Sequence, residues 1–369
     1  MTTSLRKYTT PLACTSLACL LLLAACKTET IVPQPEESEQ PEQSLQSIRW
    51  SVSSVETRAL VNDDVLQKAC TPVESGNYQS IGVWGQYTTD ENGQQTTNTE
   101  FSATPLTFLK KPTDTNPYND WNYPGDTRYW RMDAKYDFRA CYPQKRMTEL
   151  MTQMDATIIQ GAVNTSVLQE DLLVAAAQVS TAITTPRGPV PLLMKHIFAA
   201  LKFKIMPKEG YTPPTQERVT GCWLQNTGNT TDQFSPSGYL VHSGNADPKI
   251  TWYAYESSAQ PMYKWEHAGL SFATEALMYS ANGTTAGQEY TTNDGWLLVV
   301  PQPVKEGTLQ FCYTLKSTGS EVFRANIPAI TYEYGKRYTY ILYISGAGVE
   351  VKLKISEWNK MDSTHDIII

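Results

Sequence analysis

Side chains that hold metals or run catalysis are sparse in this sequence. Only four of its 369 residues are histidine: His196, His242, His267 and His365. None stands at helix or strand spacing from another histidine, a cysteine or an aspartate in a way that frames a metal site. The seven cysteines include no C-x-x-C pair, the signature of zinc ribbons and dithiol redox motifs. There is no G-x-S-x-G elbow, no phosphate-cradling loop and no dinucleotide fingerprint. The carboxylates are scattered, with none marked out as the convergent pair of a glycosidase. Positive charge is not in excess either. The 30 Lys and Arg face 37 Asp and Glu, a net charge of −7, which argues against nucleic acid and against an anionic surface bound by charge. No catalytic residue, metal or cofactor is expected. No apolar run reaches the ~20 residues a helix needs to cross a bilayer.

The longest apolar run, Leu12 to Ala25, follows Arg6 and Lys7 and stops at Cys26. A basic start, a short apolar core and small residues before the end form a secretory signal over residues 1–25. Leu23-Ala24-Ala25-Cys26 resembles the bacterial lipobox, in which the cysteine thiol is acylated and becomes the new N-terminus. Acyl chains gain ~0.8 kcal/mol per buried CH₂, so several chains on Cys26 anchor firmly while the fold stays outside the membrane. Residues 26–46, CKTETIVPQPEESEQPEQSLQ, carry too little apolar surface to offset the entropy of ordering and read as a tether. Lys27 stands where an aspartate would suggest retention at an inner membrane. A lysine followed closely by an acid resembles the export signal of surface lipoproteins in Bacteroidales.

The remainder reads as β structure. Tyrosine is abundant at 21, tryptophan reaches 9, and threonine is frequent, a strand-forming composition. Alternating runs recur between turn residues: SIRWSVSSV, SIGVWGQY, AKYDFRACYP, VTGCWLQN, GYLVH, KITWYAY, GTLQFCYTL, KRYTYILYIS and GVEVKLKISEW. With no long helical pattern, they point to an all-β protein of antiparallel sandwiches. HIFAALKF fits a strand or a helical turn, and periodicity does not separate the two. The Pro-rich break TTPRGPVPL at 184–192 divides the chain into an N-terminal sandwich, 47–188, and a C-terminal one, 189–369, each with about seven short strands. Cys141 and Cys312 sit in apolar strand patterns. For Cys70, Cys141, Cys222 and Cys312 two readings stand: buried free thiols, or one or two disulfides of an exported protein.

Several stretches look familiar in their order. A lipobox and an acidic tether are followed by a first strand ending in Val55-Glu56-Thr57-Arg58-Ala59. Then come IGVWGQY, PLTF, Tyr129-Trp130, YDFRACYP, MKHIFAALKFKI, a Tyr-x-Tyr-x-Leu-x-Ile strand and VEVKLKISEW. From Cys26 to Trp358 this order resembles the fimbrillin family of Bacteroidales, the Mfa-like type V pilins and their accessory subunits. The resemblance implies two transthyretin-like antiparallel β-sandwich domains in tandem. It implies a lipoprotein of the outer membrane, cell surface or fimbrium. It also implies partnership with other fimbrial subunits by strand exchange and, for an adhesive member, with a ligand on a host or bacterial surface. In such pilins an outer-membrane arginine-specific protease removes the first strand and a neighbour's strand fills the groove. Carried onto this chain, the cut falls after Arg58 and leaves Ala59 first. Arg49 is the poorer site, because a paired strand is closed to a protease.

Ile48, Trp50 and Val52 are then the strand that plugs the groove before assembly, since their period-2 pattern suits alternate pockets. That pattern slips at Ser53-Ser54-Val55, where the strand is expected to end or bulge. Only NKMDSTHDIII follows Trp358, short for a donated strand, which favours an accessory, anchor or tip subunit over a polymerising stalk. A second class is a carbohydrate-binding surface lipoprotein of the outer membrane. Its candidate glycan-stacking aromatics are Trp252, Tyr255 and Trp265, drawn from a group that also includes Tyr253 and Tyr263.

Overall fold

The computed structural model describes residues 46–54, 63–73, 78–109, 120–181, 188–212, 218–227, 233–255, 261–265, 270–271, 276–277, 296–315, 317–345, 348–357 and 366–367. All of them belong to the compact unit Leu45–Ile369. The chain is nearly all β, as composition and alternation predict.

The first elements are β1 (Trp50–Ser54), α1 (Asp63–Ala69), β2 (Ile81–Glu91), β3 (Gln94–Phe108), β4 (Trp121–Asn122) and β5 (Ala134–Tyr142). Next come α2 (Gln144–Leu150), β6 (Met151–Met154), β7 (Ile158–Asn164), β8 (Leu173–Ser180) and β9 (Val190–His196). Then follow β10 (Ala199–Pro207), β11 (Arg218–Asn226), β12 (Ser237–Ser243), β13 (Lys249–Ala254) and β14 (Pro261–Trp265). The short pieces β15 (Leu270–Ser271), β16 (Ala276–Leu277), β17 (Leu297–Val299) and β18 (Pro303–Val304) precede β19 (Leu309–Leu315) and β20 (Val322–Asn326). The last are β21 (Ile330–Thr331), β22 (Lys336–Ser345), β23 (Gly348–Glu357) and β24 (Asp366–Ile367). HIFAALKF resolves into the end of β9, a two-residue link at Ile197-Phe198, and the start of β10.

A seven-stranded sheet runs β1-β9-β8-β5-β2-β3-β4, and a four-stranded sheet runs β13-β12-β7-β6. The seven-stranded sheet curls. One face encloses a core of Trp50, Phe101, Trp121, Trp130, Tyr136, Phe138 and their neighbours, which takes in Leu66 and Cys70 from α1 and the turn after it. Its other face packs through Trp84, Cys141 and Val174 on Ile159, Val163, Leu240 and Ile250 of the four-stranded sheet. The register β2–β3 shifts at Gly85. A Cβ there would stand 2.7 Å from the Phe138 ring and 3.0 Å from that of Phe101, so glycine lets both rings reach the core.

In the rest of the chain β10 and β22 lie in one sheet, with β23 and β24 beyond, and β11 and β19 in another. Phe203, Phe311, Tyr338, Tyr340 and Leu342 fill the layer between them. Among the described residues two ladders are parallel, β1 with β9 and β10 with β22, where alternation alone led to an antiparallel expectation. Parallel neighbours need a long crossover, and no local sequence signal marks one. Hydrogen bonding also runs across the division expected at 188/189. Strand β9 pairs with β8, and β12 pairs with β7 from Ser237↔Asn164 to Ser243↔Ile158. Sheet membership here is decided by burial of β12 on the back of the first sheet rather than by the Pro-rich break.

Candidate functional site

The first strand closes the curl of the seven-stranded sheet. Strand β1 lies parallel to β9, with Trp50 opposite Val190 and Ser54 opposite Met194. At its start the chain is held on both edges. The Ile48 amide donates to the Arg128 carbonyl at 2.8 Å, and the Val190 amide donates to the Arg49 carbonyl at 2.7 Å. Ser47 bridges Tyr129, and the Trp130 amide donates to the Gln46 carbonyl at 3.0 Å. Beyond Arg49, the ladder of β1 is to β9.

The inward side of this stave is apolar. Ile48 is 1% exposed, Trp50 0% and Val52 8%. Ser54 continues the inward parity, and its amide donates to Asp63 Oδ1 at 2.5 Å. The alternation therefore holds to the end of the strand, one step past the slip read from the sequence. A backbone capped by an acid at the start of α1 does what an apolar side chain would otherwise do there.

Trp50 sits edge-on against Phe101 and Phe138, with centroids 5.1 Å and 5.3 Å away. Tyr123 meets Phe101 at 5.3 Å, Trp130 meets Tyr136 at 4.8 Å, and the Arg128 guanidinium covers the Phe101 ring at 4.2 Å. Such edge-to-face pairs add to the burial gained by each ring. Trp50 Nε1, however, is buried with no hydrogen-bond partner. An unmet donor of this kind costs ~1–3 kcal/mol.

Behind this core a buried cation ties the two sheets of the first half together. Arg139 of β5 is 0% exposed. One terminal nitrogen lies 3.2 Å from His242 Nδ1 on β12, and the other donates to the Gly244 carbonyl at 2.7 Å. Burial, with Arg139 and Lys195 adding to it, holds His242 down at about 3. Burial also lowers Arg139 to about 10, although Asp155 and Asp137 act against it. His196 Nδ1 and Asp171 Oδ2 form a second buried pair at 2.7 Å. These groups are buried and act as struts between strands. Nothing in the apolar spacing of FRACYP announced an internal arginine.

Cys26, Arg58 and Ala59 lie outside the described residues. The three candidate stacking aromatics are not brought together. Trp252 faces inward, its indole N–H donating to the Ile197 carbonyl at 2.8 Å and its ring 5.7 Å from Phe198. It braces the link between β9 and β10. Tyr255 is exposed just past β13. Trp265 stands in β14, in a different sheet, opposite Cys222 in the ladder. Parity explains the split, because Trp252 shares its side of β13 with buried Ile250. Cys70, Cys141 and Cys312 are free and buried. Burial raises the thiol of Cys70 to about 12 and that of Cys312 to about 11. The side chain of Cys222 lies outside the described residues.

A family profile described as fimbrillin-like matches residues 57–358. A search of curated proteins finds no match. Among solved structures, a fimbrial protein from Bacteroides vulgatus is 15% identical with a TM-score of 0.51, covering 85% of this chain and 100% of its own. A candidate cell adhesion protein from Bacteroides uniformis is 18% identical with a TM-score of 0.49, covering 85% and 99%. The tip fimbrial protein Mfa3 from Porphyromonas gingivalis, truncated at its C-terminus, is 12% identical with a TM-score of 0.34, covering 75% and 94%.

Proposed function

Because the chain belongs to the fimbrillin-like family, we propose that it is a structural, adhesive subunit of a fimbria whose first strand is exchangeable. In this reading the mature chain is anchored in the outer membrane through lipid on Cys26 and held off the surface by the tether. Cleavage after Arg58 releases the stave and leaves Ala59 first. A strand from a neighbouring subunit then takes the vacated place, satisfying the open ladder of β9 and covering the aromatic core.

The observation that carries the reading is the way the first strand is held. It is a terminal stave with one full ladder partner, yet it contributes Trp50, a wholly buried ring in the middle of the core. The last described strand, β24, pairs with β23 in the same chain. That engaged strand supports an accessory, anchor or tip position over one that donates its C-terminus. The two tandem transthyretin-like domains implied by the family stand as part of the same proposal, with β9–β10 as their shared link.

The test is the intact mass of the protein released from its own outer membrane, with and without arginine-specific protease activity. A product beginning at Ala59 is expected where the protease acts. A product that still begins at acylated Cys26 under both conditions would reject strand removal.

A further inference from the structure

We propose that the outward face of the strands β10-β22-β23 binds a sulfated polysaccharide. The chain as a whole carries a net charge of −7, yet the register gathers cations here. Leu201 and Phe203 of β10, Tyr338, Tyr340 and Leu342 of β22, and Leu353 of β23 face the core. The residues between them fall on the other side. Lys202 is level with Thr339 and Lys204 with Ile341. Thr339 is level in turn with Lys354, and Ile341 with Lys352. Four lysine positions thus frame Thr339 and Ile341, ~10 Å apart across three strands and ~7 Å apart along them. Arg337 adds a fifth basic position on the next rung, level with Ser356.

Aromatic rings fix three of these cations. Lys202 Nζ stands 5.1 Å from the centre of the Trp296 ring, and the Arg337 guanidinium stands 5.1 Å from the same ring. Lys352 Nζ stands 5.0 Å from the Tyr343 ring. A ring holds a cation in place without neutralising it. Towards Ala200 the face closes, since that residue and Trp296 pack with the core of the first half. Away from Ala200 it opens, with the side chains of Lys352 and Glu350 38% and 42% exposed. Two acids stand at its margin. Glu350, level with Tyr343, meets Lys208 at 2.9 Å and Lys352 at 3.8 Å. Asp366 of β24 is level with Lys354.

Charge complementarity selects the ligand. Like charges this close repel one another, and a bound polyanion relieves that repulsion. A broad anionic surface, such as a membrane, would also meet the acidic remainder of the chain. A single thin polymer instead lies within the ~8 Å reach of the patch at physiological salt. An acidic peptide would be gripped by strand addition at an open edge, but β10 already pairs β16 and β17 on one side and β23 pairs β24 on the other. Lysine suits the polymer, because its compact ammonium has three donors on a flexible stem and follows an irregular line of anions. Five basic positions in so small an area call for the dense charge of sulfate esters rather than one carboxylate on occasional sugars. This names a ligand for the adhesive role proposed above and rests on that reading for its place at a cell surface.

The experiment is titration of fluorescently labelled heparin with the full mature chain, read by anisotropy at low and at raised salt. Binding that weakens as salt rises is expected. Lys202→Gln with Lys352→Gln should weaken it by roughly fivefold to thirtyfold, the order of two exposed charge contacts, while circular dichroism stays that of the parent. Glu350→Gln removes the acid that holds Lys208 and Lys352, and should tighten binding by about twofold to fivefold, a gain that unfolding cannot produce. Absence of heparin binding at low salt would overturn the proposal. So would binding that survives the double substitution, or that Glu350→Gln weakens. Polyglutamate bound as tightly as heparin would assign the face to an acidic peptide, desulfated heparin bound as tightly would assign it to a carboxylated polymer, and tighter capture by phosphatidylserine vesicles would assign it to a membrane. Each of these overturns it as well. None of the outcomes depends on removal of the first strand, which the intact mass tests separately.

Discussion

Replacing Trp50 with alanine is the most direct perturbation of the stave. The ring is fully buried among Phe101, Phe138 and their neighbours, and truncating a buried aromatic costs ~3–5 kcal/mol. The unpartnered indole N–H returns part of that loss, because removing a donor buried without an acceptor relieves ~1–3 kcal/mol. Taking the middle of each range, a net loss of about 2 kcal/mol is expected. Trp50→Phe keeps most of the ring and discards the donor, so it should fall within about 1 kcal/mol of the parent. Urea unfolding followed by circular dichroism reads both, and an unchanged slope shows that the midpoint shift reports stability. Two results would refute the reasoning. One is a loss below about 0.5 kcal/mol for Trp50→Ala, the size of a surface change. The other is a Trp50→Phe variant as damaged as the alanine variant.

Acid should weaken the first half through His242. Burial first, then Arg139 and Lys195, hold this histidine from its usual 6.5 down to about 3, so between those values the unfolded chain binds a proton that the folded chain does not. Stability is lost as pH falls through that window, by up to about 1.4 kcal/mol per pH unit. His242→Gln should flatten this part of a stability–pH curve, and an unchanged curve would contradict it. Gly161→Ala places a Cβ 2.6 Å from the Met151 Cα and 2.8 Å from the Leu150 carbonyl oxygen. Backbone cannot move aside as a side chain can, so a loss of ~1–3 kcal/mol is expected by thermal unfolding. Peptide-mapped alkylation should leave Cys70, Cys141 and Cys312 unlabelled in the native protein and label them on unfolding. Rapid native labelling of Cys141 would refute its burial.

Much of the fold was legible because one face of most strands is buried. The alternation in SIRWSVSS and KRYTYILYIS gives strand, parity and inward residues directly. Trp252 was open to the same rule: it shares parity with Ile250, whereas Tyr253 and Tyr255 share the outward side with Thr251. Grouping those aromatics by nearness in sequence mixed core with surface. The sheet to which β12 and β13 belong was not legible, since their pairing with β7 bridges more than seventy residues and rests on burial against Trp84 and Val174. Arg139 was hidden for a related reason. Its charge is met by His242 and Gly244 from a strand a hundred residues away, and a single strand pattern contains no trace of that partner. The short helix at DDVLQKA escaped because seven residues carry too little periodicity to register.

Exchange of the first strand can be watched directly. The folded chain is cut at Arg58, the cut is verified by mass, and the product is offered a labelled peptide of residues 46–54, QSIRWSVSS. The account predicts uptake of the label with recovery of any melting temperature lost on cutting. A peptide with its apolar residues shifted by one position, which turns every inward side chain outward, should not be taken up. A cut chain that sheds residues 46–54, keeps its full stability and ignores the peptide would contradict the claim that this strand fills an exchangeable groove.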